Sequence, residues 1–252
     1  ATSTPDYAFP NQASLVQAKL KAVNAMCFDV SAACSGFITA LDIAASMLKA
    51  GSYKYALVIG SEKMSEIVNW KDRSVCVLFG DGAGAVVLKA VDNNTEDVTG
   101  ASAGQERGII DSNIYNDGTG ASVLTGGRRF SDSRSTDIFI HMDGQEVFKF
   151  AVKSVPTAIE TLLHNNNMNV NDVDKFILHQ ANVRIIESVA KRLKADKDKF
   201  PVNLNEYGNT SSASIPILLD ELNRNGSLKQ GEKLILAGFG AGLSWGSILL
   251  VW

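Results

Sequence analysis

Three residues far apart in the sequence, Cys34, His179 and Asn209, have the types and settings that acyl chemistry uses. Cys34 lies in DVSAACSGF (29–37), a single thiol among small neighbours. A free cysteine is among the most often buried residue types, so taken alone it reads as packing. Here Ser31, Ala32, Ala33, Ser35 and Gly36 leave room beside the sulfur, and a helix-like apolar run starts at the same point. Unpaired N–H groups and the positive end of a helix dipole favour a thiolate, so the sequence predicts a nucleophile ionised at neutral pH. Cys27 and Cys76 sit in apolar runs without such surroundings and read as packing residues.

His179 closes KFILHQ at the carboxyl end of a strand-like run, where the ligand crevices of open α/β sheets lie. A structural histidine explains that position equally well when it is taken alone. His141 and His164 lack such placement and read as surface or structural. Asn209, in NEYGNTSSAS, is ordinary turn and capping chemistry by itself. None of the three is convincing singly, but together they form a Cys–His–Asn set with the thiol as its candidate nucleophile.

The elements that must position these residues alternate strand-like and helix-like stretches, the mark of an α/β protein. Residues 34–50 read as a helix buried on every side, stopped at Gly51 and followed by the apolar strand YALVIG (55–60) and the glycine turn and strand of FGDGAGAVVLKA (79–90). The second half repeats that order. A helix at 209–226 ends at Gly226, then come the strand KLILAGFG (233–240) and the turn and strand of AGLSWGSILLVW (241–252). The interval from Cys34 to Gly51 equals that from Asn209 to Gly226, so two copies of one unit are expected, with Cys34 and Asn209 facing across a pseudo-twofold axis.

The expected organisation is a first half at 1–90, a connecting segment of turns and short strands at 91–137, and a second half at 138–252. A helix is expected within 142–167, with Val147, Phe150, Ala151 and Ile159 inward. An amphipathic one is expected at 183–195, with Val183, Ile186, Val189, Ala190 and Leu193 on one face. GDGAG (80–84) precedes a strand and lacks the spacing of a dinucleotide fingerprint, so it reads as a structural turn. GFGAGLSWG (238–246) could bring backbone N–H groups to a reacting carbonyl.

Bulk properties set outer bounds. The chain is 45% hydrophobic and 20% charged with a net charge of −3, a globular composition without the basic excess of a nucleic-acid binder. Three cysteines suggest neither a disulfide framework nor a zinc site, and no apolar run is long enough to span a bilayer. ATSTPDYAFP does not read as a signal peptide, and the expected location is the cytoplasm.

DVSAACSGF, FGDGAGAVVL, ILHQAN, YGNTSSASIP and GFGAGLSWG, in that order, resemble the β-ketoacyl-acyl-carrier-protein synthase III family of fatty-acid synthesis, over essentially the whole chain. The resemblance implies the α/β thiolase fold, a five-layer αβαβα sandwich of two pseudo-twofold halves. The first half is truncated here, because the family's front strands and helix have no counterpart in these residues. It implies decarboxylative condensation of a short acyl-CoA, acetyl-CoA by preference, with malonyl-acyl carrier protein through an acyl-cysteine at Cys34. His179 and Asn209 would stabilise the enolate, and the backbone N–H groups of Cys34 and Ala241 would form the oxyanion hole. Arg73 would bind CoA, Phe9 would reach the acyl pocket of a homodimeric partner, and Lys149, Arg184 and Lys191 would dock the carrier protein. No cofactor or metal, no nucleic acid and no membrane partner is implied. Where the family has three glycines this chain has Gly240-Ala241-Gly242, a change that bears on the turn only if residue 241 needs a positive φ. Alternatives are a condensing enzyme for branched or polyketide starters, an inactive truncated form, and a cysteine hydrolase. The last lacks the signature around the papain-type cysteine.

Overall fold

The computed structural model describes residues 1–91, 107–127 and 137–252. Helix α1 (Gln12–Leu20) is capped by Asn11, and the Asp29 carboxylate accepts from the N–H groups of Gln12 (2.7 Å) and Ala13 (2.8 Å). An anion at a helix start satisfies donors that the helix itself leaves unpaired. A 3-10 turn at Ala33–Ser35 runs into α2 (Gly36–Lys49). Strands β1 (Tyr55–Glu62) and β2 (Gly82–Lys89) then pair antiparallel over their whole length. β3 (Gly108–Asn116) follows, and the short β4 (Leu124–Thr125) pairs with β5 (His141–Met142).

Helix α3 (Gly144–Asn165) is capped by Asp143, β6 spans Lys175–Leu178, and α4 (Val183–Leu193) is capped by Asn182. After a single helical turn, α5 (Leu204–Tyr207), a second 3-10 turn at Ser211–Ala213 leads into α6 (Ser214–Arg224). β7 (Lys233–Gly240) and β8 (Ser244–Val251) close the chain as an antiparallel pair.

The larger sheet has the order β3-β8-β7-β6, with only the β6–β7 pair parallel. Alternation along its strands sorts the core into two. Phe176, Leu178, Ile235, Ala237 and Phe239 face an outer layer of α3 and α4. Ile177, Leu234, Leu236 and Ile248 face an inner layer of α2 and α6, which Val58, Val86 and Leu88 meet from the β1–β2 sheet. Four layers are therefore stacked among the described residues: helices, four-stranded sheet, helices, two-stranded sheet. Each buried Leu, Ile or Phe contributes on the order of 2 kcal/mol.

Four expectations are corrected. The connecting segment carries a nine-residue edge strand, β3, bonded to β8, because Ile109 and Ile114 pack into the inner core; residues 92–106 and 128–136 of that segment lie outside the described residues. On α4, Ile185 is buried and Val183 is exposed, since the helix packs against both the sheet and α3 and its apolar stripe is set by that double contact. β1 is not buried on both faces: Val58, Gly60 and Glu62 point inward, whereas Tyr55 and Leu57 are exposed on the other side.

The repeat is real but its register is different. The two 3-10 turns begin at Ala33 and Ser211, which both take a positive φ (45° and 50°) and run directly into an α-helix. That aligns Cys34 with Ser212 and not with Asn209, and α6 is three residues shorter than α2 (11 against 14). The equal spacing in the sequence reflects this difference in length.

Candidate active site

The two helix starts cross over. The turn of the first half packs on β7 of the second, and the turn of the second packs on β1 of the first. A β-carbon on Gly238 would lie 3.2 Å from Ser35 Cα, and one on Gly60 would lie 2.4 Å from the Ser212 carbonyl oxygen. Gly240 is tighter, its β-carbon falling 2.9 Å from Cys34 Cβ and 3.0 Å from Cys34 N. Only glycine at 240 lets β7 end directly on Cys34, which brings the next peptide, that of Ala241, beside it. Ala241 is not among the residues with positive φ; Gly242 takes that geometry (142°), so the β-carbon at 241 is accommodated.

Cys34 is 7% exposed, and burial pushes its thiol up to about 12. A hydrogen bond with the Ser211 hydroxyl acts in the opposite direction, and the Glu62 carboxylate raises the value further. The expected resting thiolate is thereby overturned. The helix start that would stabilise it is sealed under Gly240 and the second 3-10 turn, and desolvation outweighs the dipole. Glu62, 4% exposed, accepts from Ser212 Oγ (2.7 Å), Ser3 N (2.9 Å) and Thr4 Oγ1 (3.0 Å).

His179 follows the last residue of β6, its N–H donating to Ala237 O (2.8 Å) and its ring standing edge-on to Phe239, with centroids 5.2 Å apart. It is 1% exposed, and burial lowers its pKa to about 3, so it is neutral. Nδ1 lies 2.7 Å from Ser214 Oγ.

Asn209 is held by the first half of the chain. Its N–H donates to Leu78 O (2.8 Å), and its carbonyl accepts from Gly80 N (3.0 Å). Its side-chain oxygen accepts from Ser211 N (2.9 Å), which fixes the carboxamide with its NH2 as the remaining donor. The glycines of FGDGAG make this possible. A β-carbon on Gly80 would meet Tyr207 O at 2.1 Å, and one on Gly84 would meet Ile217 N at 2.7 Å. That motif is a close-packing surface for the Asn209 turn, in line with the structural reading.

Cys34 thus touches Gly240 and Ser211, Ser211 holds Asn209, and Phe239 and Ser214 flank His179. The serines are what the sequence reading missed. Ser35 Oγ donates to Ala32 O (2.8 Å) and lies 2.7 Å from Ser244 Oγ, which donates to Ala241 O (2.7 Å). The signal was present as the density of Ser within the quoted motifs, but a hydroxyl has no spacing rule that marks its partner.

The outlying residues are on the surface. Arg73 is exposed in a turn that also holds the exposed Trp70. Phe9 is 86% exposed. Lys149 pairs with Glu146 (2.7 Å) on α3, and Arg184 and Lys191 are exposed on the adjoining α4. His164 is exposed, as is His141, which pairs with Asp137 (2.6 Å). Cys27 and Cys76 are free and half-buried, Cys76 against the Met64 and Val68 cluster. A cavity of about 240 Å3 lies beyond β1, among α1, residues 25–30 and α2, and takes in none of Cys34, His179 and Asn209. Among the described residues no cluster of His, Cys, Asp and Glu could hold a metal, and no helix is long and apolar enough to cross a membrane.

Comparison with known proteins adds to this geometry. Residues 28–107 match the family model described as 3-oxoacyl-[acyl-carrier-protein] synthase III, and residues 163–252 match the model of its C-terminal part. The chain is 46% identical to a β-ketoacyl-[acyl-carrier-protein] synthase III of Clostridium acetobutylicum, covering all of this chain and 75% of that one. The crystal structure of 3-oxoacyl-[acyl-carrier-protein] synthase III from Aquifex aeolicus superimposes with a TM-score of 0.89 at 44% identity, over 100% of this chain and 75% of that one. A priming β-ketosynthase from the R1128 polyketide pathway is also similar, with a TM-score of 0.88 and 36% identity over 99% of this chain and 72% of that one.

Proposed function

The chain belongs to the 3-oxoacyl-[acyl-carrier-protein] synthase III family, and from that premise we propose that Cys34, His179 and Asn209 carry out its reaction. The activity is acyl transfer, the condensation that initiates fatty-acid synthesis, on the thiolase fold. The supporting observation is the linkage of the three residues through the two crossed helix starts and the Phe239-Gly240 segment.

In the first step the Cys34 sulfur attacks the thioester carbonyl of an acyl-CoA, acetyl-CoA by preference. The carbonyl–sulfur bond to CoA breaks, and CoA leaves as the thiol, taking in balance the proton that Cys34 gives up. In the second, malonyl-acyl carrier protein loses CO2, and the electron pair moves onto the thioester oxygen as an enolate. Neutral donors on His179 and Asn209 stabilise that charge as it forms. The carbanion attacks acyl-Cys34, whose oxyanion is met by the N–H groups of Cys34 and Ala241, and collapse releases 3-oxoacyl-acyl carrier protein and the Cys34 thiolate, which takes up a proton from water to return to the resting thiol. No cofactor takes part in these steps.

Arg73 is the proposed CoA contact, Phe9 the contact across a homodimer, and Lys149, Arg184 and Lys191 the docking face for the acidic carrier protein, in a cytoplasmic enzyme. Labelled acetyl-CoA followed by digestion tests the central claim: label is expected on the Cys34 peptide and absent in Cys34→Ser. Label that persists in Cys34→Ser rules the reading out. Similarity to the priming ketosynthase favours a second reading, a polyketide or branched starter, and acetyl-CoA outcompeted by a longer acyl-CoA in the same assay would select it.

A further inference from the structure

Ser214 Oγ has two polar partners in the structure, His179 Nδ1 at 2.7 Å and the N–H of Gln180 at 3.3 Å. Ser214 and His179 are both almost wholly buried. The Gln180 N–H can only donate, so it occupies one lone pair of the hydroxyl oxygen. The hydroxyl proton then has a single acceptor within reach, the Nδ1 lone pair. The opposite arrangement, with Nδ1–H donating to the oxygen, would leave a buried O–H without an acceptor, which is a costly defect.

We propose that Ser214 is a positioning residue that holds His179 in the tautomer bearing its proton on Nε2. This rests on the reading above, in which His179 donates a hydrogen bond to the malonyl thioester oxygen. That role requires N–H on the nitrogen not engaged by Ser214, because a neutral imidazole has one donor only. Two further bonds hold the strand end that carries the ring: Gln180 Nε2 donates to Leu178 O (2.8 Å), and Gln180 Oε1 accepts from Asn203 N (3.2 Å). As the first residue of α6, Ser214 also couples the ring's tautomer to the same helix start that carries Ser211 and Asn209.

Histidine labelled at both ring nitrogens, incorporated into the full chain, reports in a long-range proton–nitrogen correlation spectrum which nitrogen carries the proton. The His179 signals are assigned by their loss in His179→Gln. Nε2 is expected to be protonated and Nδ1 bare at neutral pH; a protonated Nδ1 in the wild-type chain overturns the proposal without recourse to any variant. In Ser214→Ala the tautomers are expected to mix, and the kcat of malonyl-acyl carrier protein decarboxylation to fall roughly tenfold, the rate equivalent of one neutral hydrogen bond, with KM little changed. Ser214→Thr, which keeps the hydroxyl, is expected to restore the wild-type spectrum. A folded Ser214→Ala with the wild-type tautomer likewise overturns the role. The underlying reading fails separately, if His179→Gln decarboxylates malonyl-acyl carrier protein at the wild-type rate.

Discussion

Burial holds Cys34 as a thiol at neutral pH, and the reactivity proposed for it depends on what surrounds that one sulfur. Only the thiolate attacks, so acylation and alkylation of Cys34 are expected to keep rising with pH past the ordinary thiol range near 9, without levelling until about 12. Ser211 and Glu62 act on the sulfur with opposite signs. Glu62→Gln removes the charge while keeping an acceptor for Ser212 Oγ, so alkylation of Cys34 by iodoacetamide at pH 8 should quicken, by roughly threefold or more for a charge acting through protein of intermediate dielectric. Stopped-flow rates equal to wild type would show that the carboxylate is screened from the sulfur. The small neighbours of Cys34 and the helix start beside it were legible in the sequence; its protonation state was not. Burial under Gly240 is contributed by residues two hundred positions away, and no local pattern reports it.

At the scale of elements, each half offers its helix start to the other half's strand, and the glycines mark where backbone meets backbone. β1 and β7 present Gly60 and Gly238 at equivalent positions, paired across their hairpins with Gly84 and Gly246. One step on, the halves diverge: Gly240 admits Cys34, whereas Glu62 fills the equivalent place and binds Ser212. The order of elements was readable because hydrophobic period and glycine stops are local signals. Their register was not, since the spacing that seemed to align Cys34 with Asn209 arose from a shorter helix. Gly80→Ala tests the closeness. Its β-carbon would strike Tyr207 O and displace the Asn209 turn, with a cost of about 1–3 kcal/mol. Condensation is expected to fall more than Cys34 acylation. Gly118→Ala, where nothing lies within 4 Å, should stay within about 0.5 kcal/mol of wild type in urea unfolding.

For the whole molecule, burying an imidazole and a thiol at the junction of the two halves ties stability to pH at both ends of the range. The His179 pKa falls from 6.5 to about 3 on folding, so below pH 6.5 the unfolded chain binds a proton that the folded chain refuses. Stability is lost as pH drops through that window, by up to about 1.4 kcal/mol per unit from this group. Cys34 moves the other way, from 9.0 to about 12, so its contribution is present below pH 9 and is lost as pH rises toward 12, where the unfolded chain gives up the thiol proton first. Between pH 6.5 and 9 neither group adds a slope. His179→Gln should therefore flatten the acid limb of unfolding free energy against pH by one proton, and Cys34→Ala the alkaline limb, each leaving the other limb as in wild type. Both curves are measured by urea titration at fixed ionic strength, and the carboxylates cancel in the comparison. Parallel acid limbs for wild type and His179→Gln would mean that water reaches the imidazole in solution, and the neutral donor proposed for the enolate would lose its physical basis.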